Sequence, residues 1–206
     1  MSYVSKMESK NIVVFASGSG TTFRALLEHS FLKDSSFRIS ALITDRKDCG
    51  AVKIANEFSI PVIKYDPDML NILHKMDIHL IILAGFLKIL NANIVQHYHD
   101  SIINIHPSLL PSFGGRNFYG IRVHRAVIES GTMYSGFTVH LVNEGVDSGP
   151  IIFQNTVPVL STDTAEELQN RVHREEITYF PKIIDSLCRW PYEVKGNRVI
   201  MRPFKQ

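Results

Sequence analysis

Two rhythms of apolar residues alternate along the first hundred positions: short unbroken runs, and stretches with helical spacing. Residues 11–16 (NIVVFA) are apolar and β-branched almost throughout, as expected of a strand covered on both faces. Ser17-Gly18-Ser19-Gly20 breaks that run, and Phe23, Leu26 and Leu27 then recur at helical spacing across 21–30. The same reading predicts strands over 37–44, 61–65, 78–84 and 102–105, and helices over 50–58, 67–76 and 91–98. Strand and helix alternate strictly, which indicates a parallel, doubly wound sheet joined by right-handed crossovers.

Beyond position 106 the rhythm changes. Residues 107–120 carry prolines, serines and three glycines (Gly114, Gly115, Gly120) and read as a long loop. A helix is expected over 121–129, strands over 136–142 (GFTVHLV) and 151–159, and a hairpin over 192–201 turning at 195–197. A long helical pattern covers 163–187, opened by a capping box at Thr164 and Glu167, with Pro181 expected to kink or interrupt it. Leu168, Val172, Tyr179, Ile183 and Leu187 form its expected inward stripe. The fold class is therefore α/β: Rossmann-like and doubly wound, its mostly parallel sheet flanked by helices, with antiparallel additions in the C-terminal half. The 206 residues are expected to form a single domain, with 1–10 as a flexible tail.

Composition narrows the function classes. At 45% hydrophobic, 20% charged and net +2, the chain has the balance of an ordinary soluble globular protein. It contains no Lys/Arg run of the kind that tracks nucleic acid. Cys49 and Cys188 make neither a disulfide framework nor a zinc spacing, and a reducing, cytoplasmic setting is expected. The first ten residues lack the apolar segment of a signal peptide, and the apolar run at 80–87 is too short to span a bilayer. No membrane partner is expected. His97 and His99 straddle Tyr98 without further ligands at metal spacing, so no metal site is read there.

In an open parallel sheet, ligands bind beyond the carboxyl ends of the strands. Three polar clusters fall at such ends. Gly20, Thr21 and Thr22 open the first helix, where free N–H groups suit a phosphate; the plainer reading is a tight turn with a Thr cap. Asn104 and His106 end a buried strand and share one face, with Ile105 opposite. A carboxamide donor beside an imidazole can hold an oxyanion and move a proton near neutral pH. The plainer reading is a hydrogen-bonded strand-end histidine. Asp147, in the rigid loop EGVDSGP (144–150), can orient a histidine or simply close an Asx turn. Glu176 falls on the inward stripe of the late helix, three residues after His173; a carboxylate there needs a partner or a ligand hydroxyl, unless the stripe is wider than drawn.

Four ordered blocks then carry a resemblance: AGFLKIL (84–90), NIHPSLLP (104–111), SGFTVH (135–140) and DSGPII (147–152). From about position 11 to the end, the chain resembles the folate-dependent glycinamide ribonucleotide formyltransferases. That resemblance implies transfer of the formyl group of 10-formyltetrahydrofolate, a cosubstrate, to the amine of 5'-phosphoribosylglycinamide in purine biosynthesis. No metal and no covalent enzyme intermediate are implied. It implies Asn104, His106 and Asp147 as the catalytic set, with Asp147 keeping His106 protonated. It implies phosphate binding at Gly20, Thr21 and Thr22, ribose binding by Glu176 with His173 beside it, and pterin binding along Leu87, Lys88, Ile89 and Leu90. Asn104, Val142, Glu144 and Asp147 would complete the folate site.

Several positions depart from the family pattern. Gly-Thr-Thr stands where many members have Gly-Ser-Asn, His173 where some have Gln, and the stretch 65–78 is short, leaving folate-tail contacts there open. GGRNFYG (114–120) is a longer loop than in some members and a candidate lid. The alternative within the same chemistry is another user of 10-formyltetrahydrofolate, a hydrolase or an enzyme with a different amine acceptor. The hydrolase normally carries an N-terminal regulatory domain, and the methionyl-tRNA enzyme a C-terminal tRNA-binding domain, neither expected in 206 residues. A non-catalytic nucleotide-binding module would give no reason to combine Asn104, His106 and Asp147. Partners are expected to be small-molecule substrates, not nucleic acid, and the family includes monomers and homodimers.

Overall fold

The computed structural model describes residues 9–201. β1 (Lys10–Phe15), α1 (Thr21–Ser30), β2 (Phe37–Thr44), α2 (Gly50–Glu57), β3 (Val62–Lys64), α3 (Leu70–Lys75), β4 (Leu80–Leu83), α4 (Ala92–His97) and β5 (Ile102–His106) alternate as the periodicity requires. They are followed by α5 (Ile121–Glu129), β6 (Tyr134–Leu141), β7 (Ile151–Pro158), α6 (Ala165–Arg189), β8 (Tyr192–Lys195) and β9 (Arg198–Met201). Lys10 already belongs to β1; residues 1–8 of the expected tail lie outside the described residues. Among the described residues no helix is long and apolar enough to cross a membrane.

The described strands form one nine-stranded sheet in the order β3-β2-β1-β4-β5-β6-β7-β9-β8. β3, β2, β1, β4 and β5 are parallel, and β6 then pairs antiparallel with β5 and β7 antiparallel with β6. The α/β class and its antiparallel C-terminal additions are thus as the pattern predicted. The unbroken run of β1 has its reason in this order. Ile12 and Val14 pack with α1, α2 and α6 on one face, while Val13 and Phe15 pack with α3 and α4 on the other. All four are fully buried, and each such side chain stabilises the fold by about 1.5–3 kcal/mol.

In the late helix, Pro181 causes no interruption and one residue of the expected stripe is misplaced. α6 runs uninterrupted through Pro181. The missing N–H and ring clash cost about 3 kcal/mol, but Phe180, Ile183, Ile184 and Leu187 around the proline are buried, and their packing holds the helix together. The inward face holds the expected Leu168, Val172, Ile183 and Leu187, together with Glu176, Phe180 and Ile184. Tyr179 is 37% exposed and lies against Phe153 at its edge.

The strand order reverses between β1 and β4, making this the switch point of the sheet. There the Ser17 N–H donates to the Gly85 carbonyl at 3.2 Å, joining the loop after β1 to the segment after β4. Along the carboxyl edge the neighbours are therefore the 17–20 loop, the 84–90 segment and the end of β5, followed by the connections flanking β6.

Candidate functional site

β5 ends on its polar residues because the antiparallel partner offers them places. Asn104 lies opposite His140 of β6, and His106 opposite Thr138. The His140 Nδ1–H donates to the Leu141 carbonyl at 2.8 Å, leaving Nε2 to accept from Asn104 Nδ2 at 3.0 Å. That contact fixes the Asn104 carboxamide. Thr138 is a buried knot: its hydroxyl donates to the Ser108 carbonyl at 2.6 Å and accepts from the Leu110 N–H and Gln154 Nε2, both at 3.0 Å. Ser108 donates in turn to the Ser112 carbonyl at 2.7 Å. The loop after β5 is thus hydrogen-bonded into a fixed shape, and its Leu110–Pro111 bond is cis.

That loop turns back onto His106. Phe113 sits at φ 54, an uncommon conformation for a bulky residue, and its carbonyl accepts from His106 Nε2 at 2.8 Å. The opposite ring nitrogen, Nδ1, lies 3.4 Å from Asp147 Oδ2. Asp147 is also left-handed, at φ 52, and Oδ2 accepts from the Gly115 N–H at 3.0 Å. Its Oδ1 is 3.5 Å from Asn104 Nδ2 and 3.7 Å from His140 Nε2. Asn104, His106 and Asp147, 43 positions apart at the extremes, are therefore brought into one cluster, and His140 joins it.

Burial pushes the Asp147 carboxyl up, but His140, His106 and the Gly115 N–H together outweigh it and hold the acid below its ordinary 3.8. For His106 the balance goes the other way. Burial lowers it below its ordinary 6.5, against the opposing pull of Asp147 and the Phe113 carbonyl. Asp147 therefore acts on His106 in the expected sense, favouring its charged form from 3.4 Å, while burial of a residue only 4% exposed works against it.

The other sequence candidates occupy the surroundings. α1 is capped by Gly20 in the left-handed region (φ 80), not by a threonine, and no side chain caps the first turn. A Cβ at Gly20 would stand 2.6 Å from Ala51 Cα, so only glycine lets α1 and α2 begin side by side. Thr21 and Thr22 head the helix, with Ser19 Oγ 3.3 Å from Thr21 Oγ1. Glu176 is 8% exposed and accepts from His173 Nδ1 at 2.9 Å, so its inward carboxylate does have a partner. Beyond the cluster, Leu87 (54%), Ile89 (67%) and Val146 (38%) present apolar surface to solvent. Leu90 is buried in the core, leaving its backbone for any contact. Lys88 leans over the Tyr65 ring, with Asp45 3.9 Å away. The Val142 N–H is bonded to the Ile102 carbonyl at 2.9 Å, and Glu144 accepts from Gln96 at 3.4 Å.

His140 was missed as a site residue. Its only sequence signal is the alternation of GFTVHLV, which puts 138 and 140 on one face; the link to Asn104 requires the β5–β6 register.

The chain matches the family model described as "Formyl transferase" over residues 10–184. It is 40% identical over 190 residues to the chloroplastic phosphoribosylglycinamide formyltransferase of Vigna unguiculata, covering 87% of this chain and 61% of that protein. Against phosphoribosylglycinamide formyltransferase of Bacillus subtilis it is 34% identical over 191 residues, covering 86% of this chain and 94% of the relative. The chain thus spans about three-fifths of the length of the plant relative and nearly all of the bacterial one. The crystal structure of glycinamide ribonucleotide transformylase 1 from Symbiobacterium toebii superposes with a TM-score of 0.86 at 31% identity, covering 94% of each chain. With this match over most of its length, the chain belongs to the formyl transferase family.

Proposed function

We propose that this protein transfers the formyl group of 10-formyltetrahydrofolate to the glycyl amine of 5'-phosphoribosylglycinamide, giving formylglycinamide ribonucleotide and tetrahydrofolate. The observation that carries this reading is the Asn104–His106–Asp147 cluster at the end of β5, with a helix start on one side and exposed apolar residues on the other. The acceptor has a phosphate at one end and an amine at the other. From the loop after β1 to the end of β5 is two strand spacings, about 10 Å. That separation suits phosphate at Gly20, Thr21 and Thr22, and the amine beside His106. Glu176, with His173 holding its carboxylate, is the proposed ribose partner. The residues suit the folate as well: Leu87, Ile89 and Val146 offer apolar surface, the 87–90 backbone offers hydrogen bonds, and Val142, Glu144 and Asp147 line the far side.

In the proposed mechanism the amine attacks the formyl carbon and the carbonyl oxygen becomes an oxyanion. Asn104, its carboxamide fixed by His140, donates to that oxygen. His106, whose burial favours the neutral ring, accepts the proton that the amine loses, and Asp147 stabilises the imidazolium so formed. The proton passes to N10 of the folate as the carbon–nitrogen bond breaks. Asn104→Ala is expected to lower kcat by about 10²–10³-fold with little change in KM, read from initial rates on protein with an unchanged circular dichroism spectrum.

The reaction itself is tested with two cuvettes, both holding protein and 10-formyltetrahydrofolate and one also holding the ribonucleotide, with tetrahydrofolate followed by absorbance. Product in the complete mixture alone is the expected result. Product in both would mean that water is the acceptor and that the chain is a hydrolase. Product in neither would overturn both readings and direct attention to other amines.

A further inference from the structure

Away from the folate and ribonucleotide surfaces, two exposed histidines face each other across neighbouring helices. His74 belongs to α3 and His97 is the last residue of α4. Their Nε2 atoms are 2.6 Å apart, with ring centroids at 4.0 Å. The rings do not meet by accident of flexible chains. Leu73, Ile94 and Val95 anchor both helices in one core cluster, and the buried Tyr98 ring stands edge-on to both imidazoles, at 6.3 Å from His74 and 5.0 Å from His97. At 2.6 Å, one nitrogen must donate a proton to the lone pair of the other, so the pair holds a single proton between two converging lone pairs.

We propose that His74 and His97 form a two-imidazole site for a divalent transition-metal ion, with water completing its coordination. The ion takes the place of the shared proton. Imidazole suits copper, nickel and zinc, and does not suit magnesium or calcium. The separation favours the first two. With metal–nitrogen bonds of about 2.0–2.1 Å, two nitrogens stand about 3.3 Å apart on a tetrahedral ion and about 2.9 Å apart at the right angle of a tetragonal or octahedral one. From 2.6 Å the second arrangement needs only a small parting of two solvent-facing rings. Among the described residues no group of three or more histidine, cysteine, aspartate or glutamate side chains is placed so that it could hold a metal ion, so these two are the protein's whole contribution to the site. The ion ties α3 to α4, the helix that begins directly after the 87–90 segment and whose Gln96 reaches Glu144.

The test is equilibrium dialysis of the purified full chain against Cu²⁺ and, separately, Ni²⁺, with excess Mg²⁺ present, for wild type, His74→Ala, His97→Ala and the control His99→Ala. All three side chains are exposed, and circular dichroism checks each fold; Gln variants serve if an Ala variant misfolds. The expected result is one tightly held ion in wild type and His99→Ala, with affinity at least about tenfold weaker in His74→Ala and in His97→Ala. Equal affinity in all four proteins, or loss in His99→Ala as large as in the other two, would overturn the site.

Discussion

Replacing Asp147 by Asn is expected to lower turnover by about 10²–10⁴-fold while leaving the protein folded. The fold should survive because Asp147 occupies the left-handed region at φ 52, where asparagine is at least as much at home as aspartate. The amide oxygen can still accept the Gly115 N–H that now reaches Oδ2 at 3.0 Å. What disappears is the negative charge 3.4 Å from His106 Nδ1. On the proposed mechanism that charge stabilises the imidazolium formed when the amine gives up its proton, so kcat falls much further than KM changes. A second readout separates this from mere disturbance. Asp147 opposes the effect of burial on His106, so without it His106 titrates still lower. The residual activity of Asp147→Asn should therefore lose its acid limb at a lower pH than wild type. Unchanged turnover in Asp147→Asn, or a His106→Ala protein running at full rate, would remove both residues from the chemistry.

The next largest effect is expected in stability at acid pH, from a residue that does not belong to the proposed mechanism. His124 of α5 is 1% exposed and its Nδ1 has no hydrogen-bond partner. Burial, with a smaller contribution from nearby His106, pushes it from 6.5 to about 4. In the unfolded chain the same ring takes up a proton near 6.5. Between these values the unfolded state binds more protons than the folded one, so stability falls as the pH drops from 6.5 towards 4. A difference of that size corresponds to about 3 kcal/mol, a large part of the roughly 5–15 kcal/mol of a typical domain. Other groups titrate in the same range, so the measurement is a comparison. Urea unfolding of wild type and His124→Leu at pH 7 and near pH 4 should show the variant losing about 3 kcal/mol less on acidification. At pH 7 the substitution should cost little, since the buried Nδ1 it removes is unpaired. Equal acid losses in the two proteins would show that His124 is not the buried group responsible.

The parallel half of the fold was legible because its signals are local. A strand buried on both faces must be apolar throughout, and NIVVFA and IILA read that way before any neighbour is known. The Thr164–Glu167 capping box forms as its spacing predicted. Asn104 and His106 stood out for a related reason: polar groups closing an apolar run need partners. Tyr179 was placed wrongly because a 25-residue helix buries a stripe that drifts by i+4 steps, and only the packing against the sheet shows where the stripe runs. Pro181 causes no interruption of α6 because the local penalty visible in sequence is offset by buried packing against distant segments.

What the sequence by itself determined is the alternation of elements, the carboxyl edge on which polar residues gather, and the family resemblance that gave those residues expected roles. The tertiary structure alone decided which of them meet. His140 reaches Asn104 through an antiparallel register between strands separated by α5, and Asp147 reaches His106 through a loop pinned by Gly115. His74 and His97, 23 positions apart, converge because two short helices share one core. The downward push of burial on His106 belongs to the same class, since it depends on how much water the folded chain excludes. Periodicity is written by residues a few positions apart, whereas contacts and dielectric are set by strand order and register, which no short stretch of sequence contains.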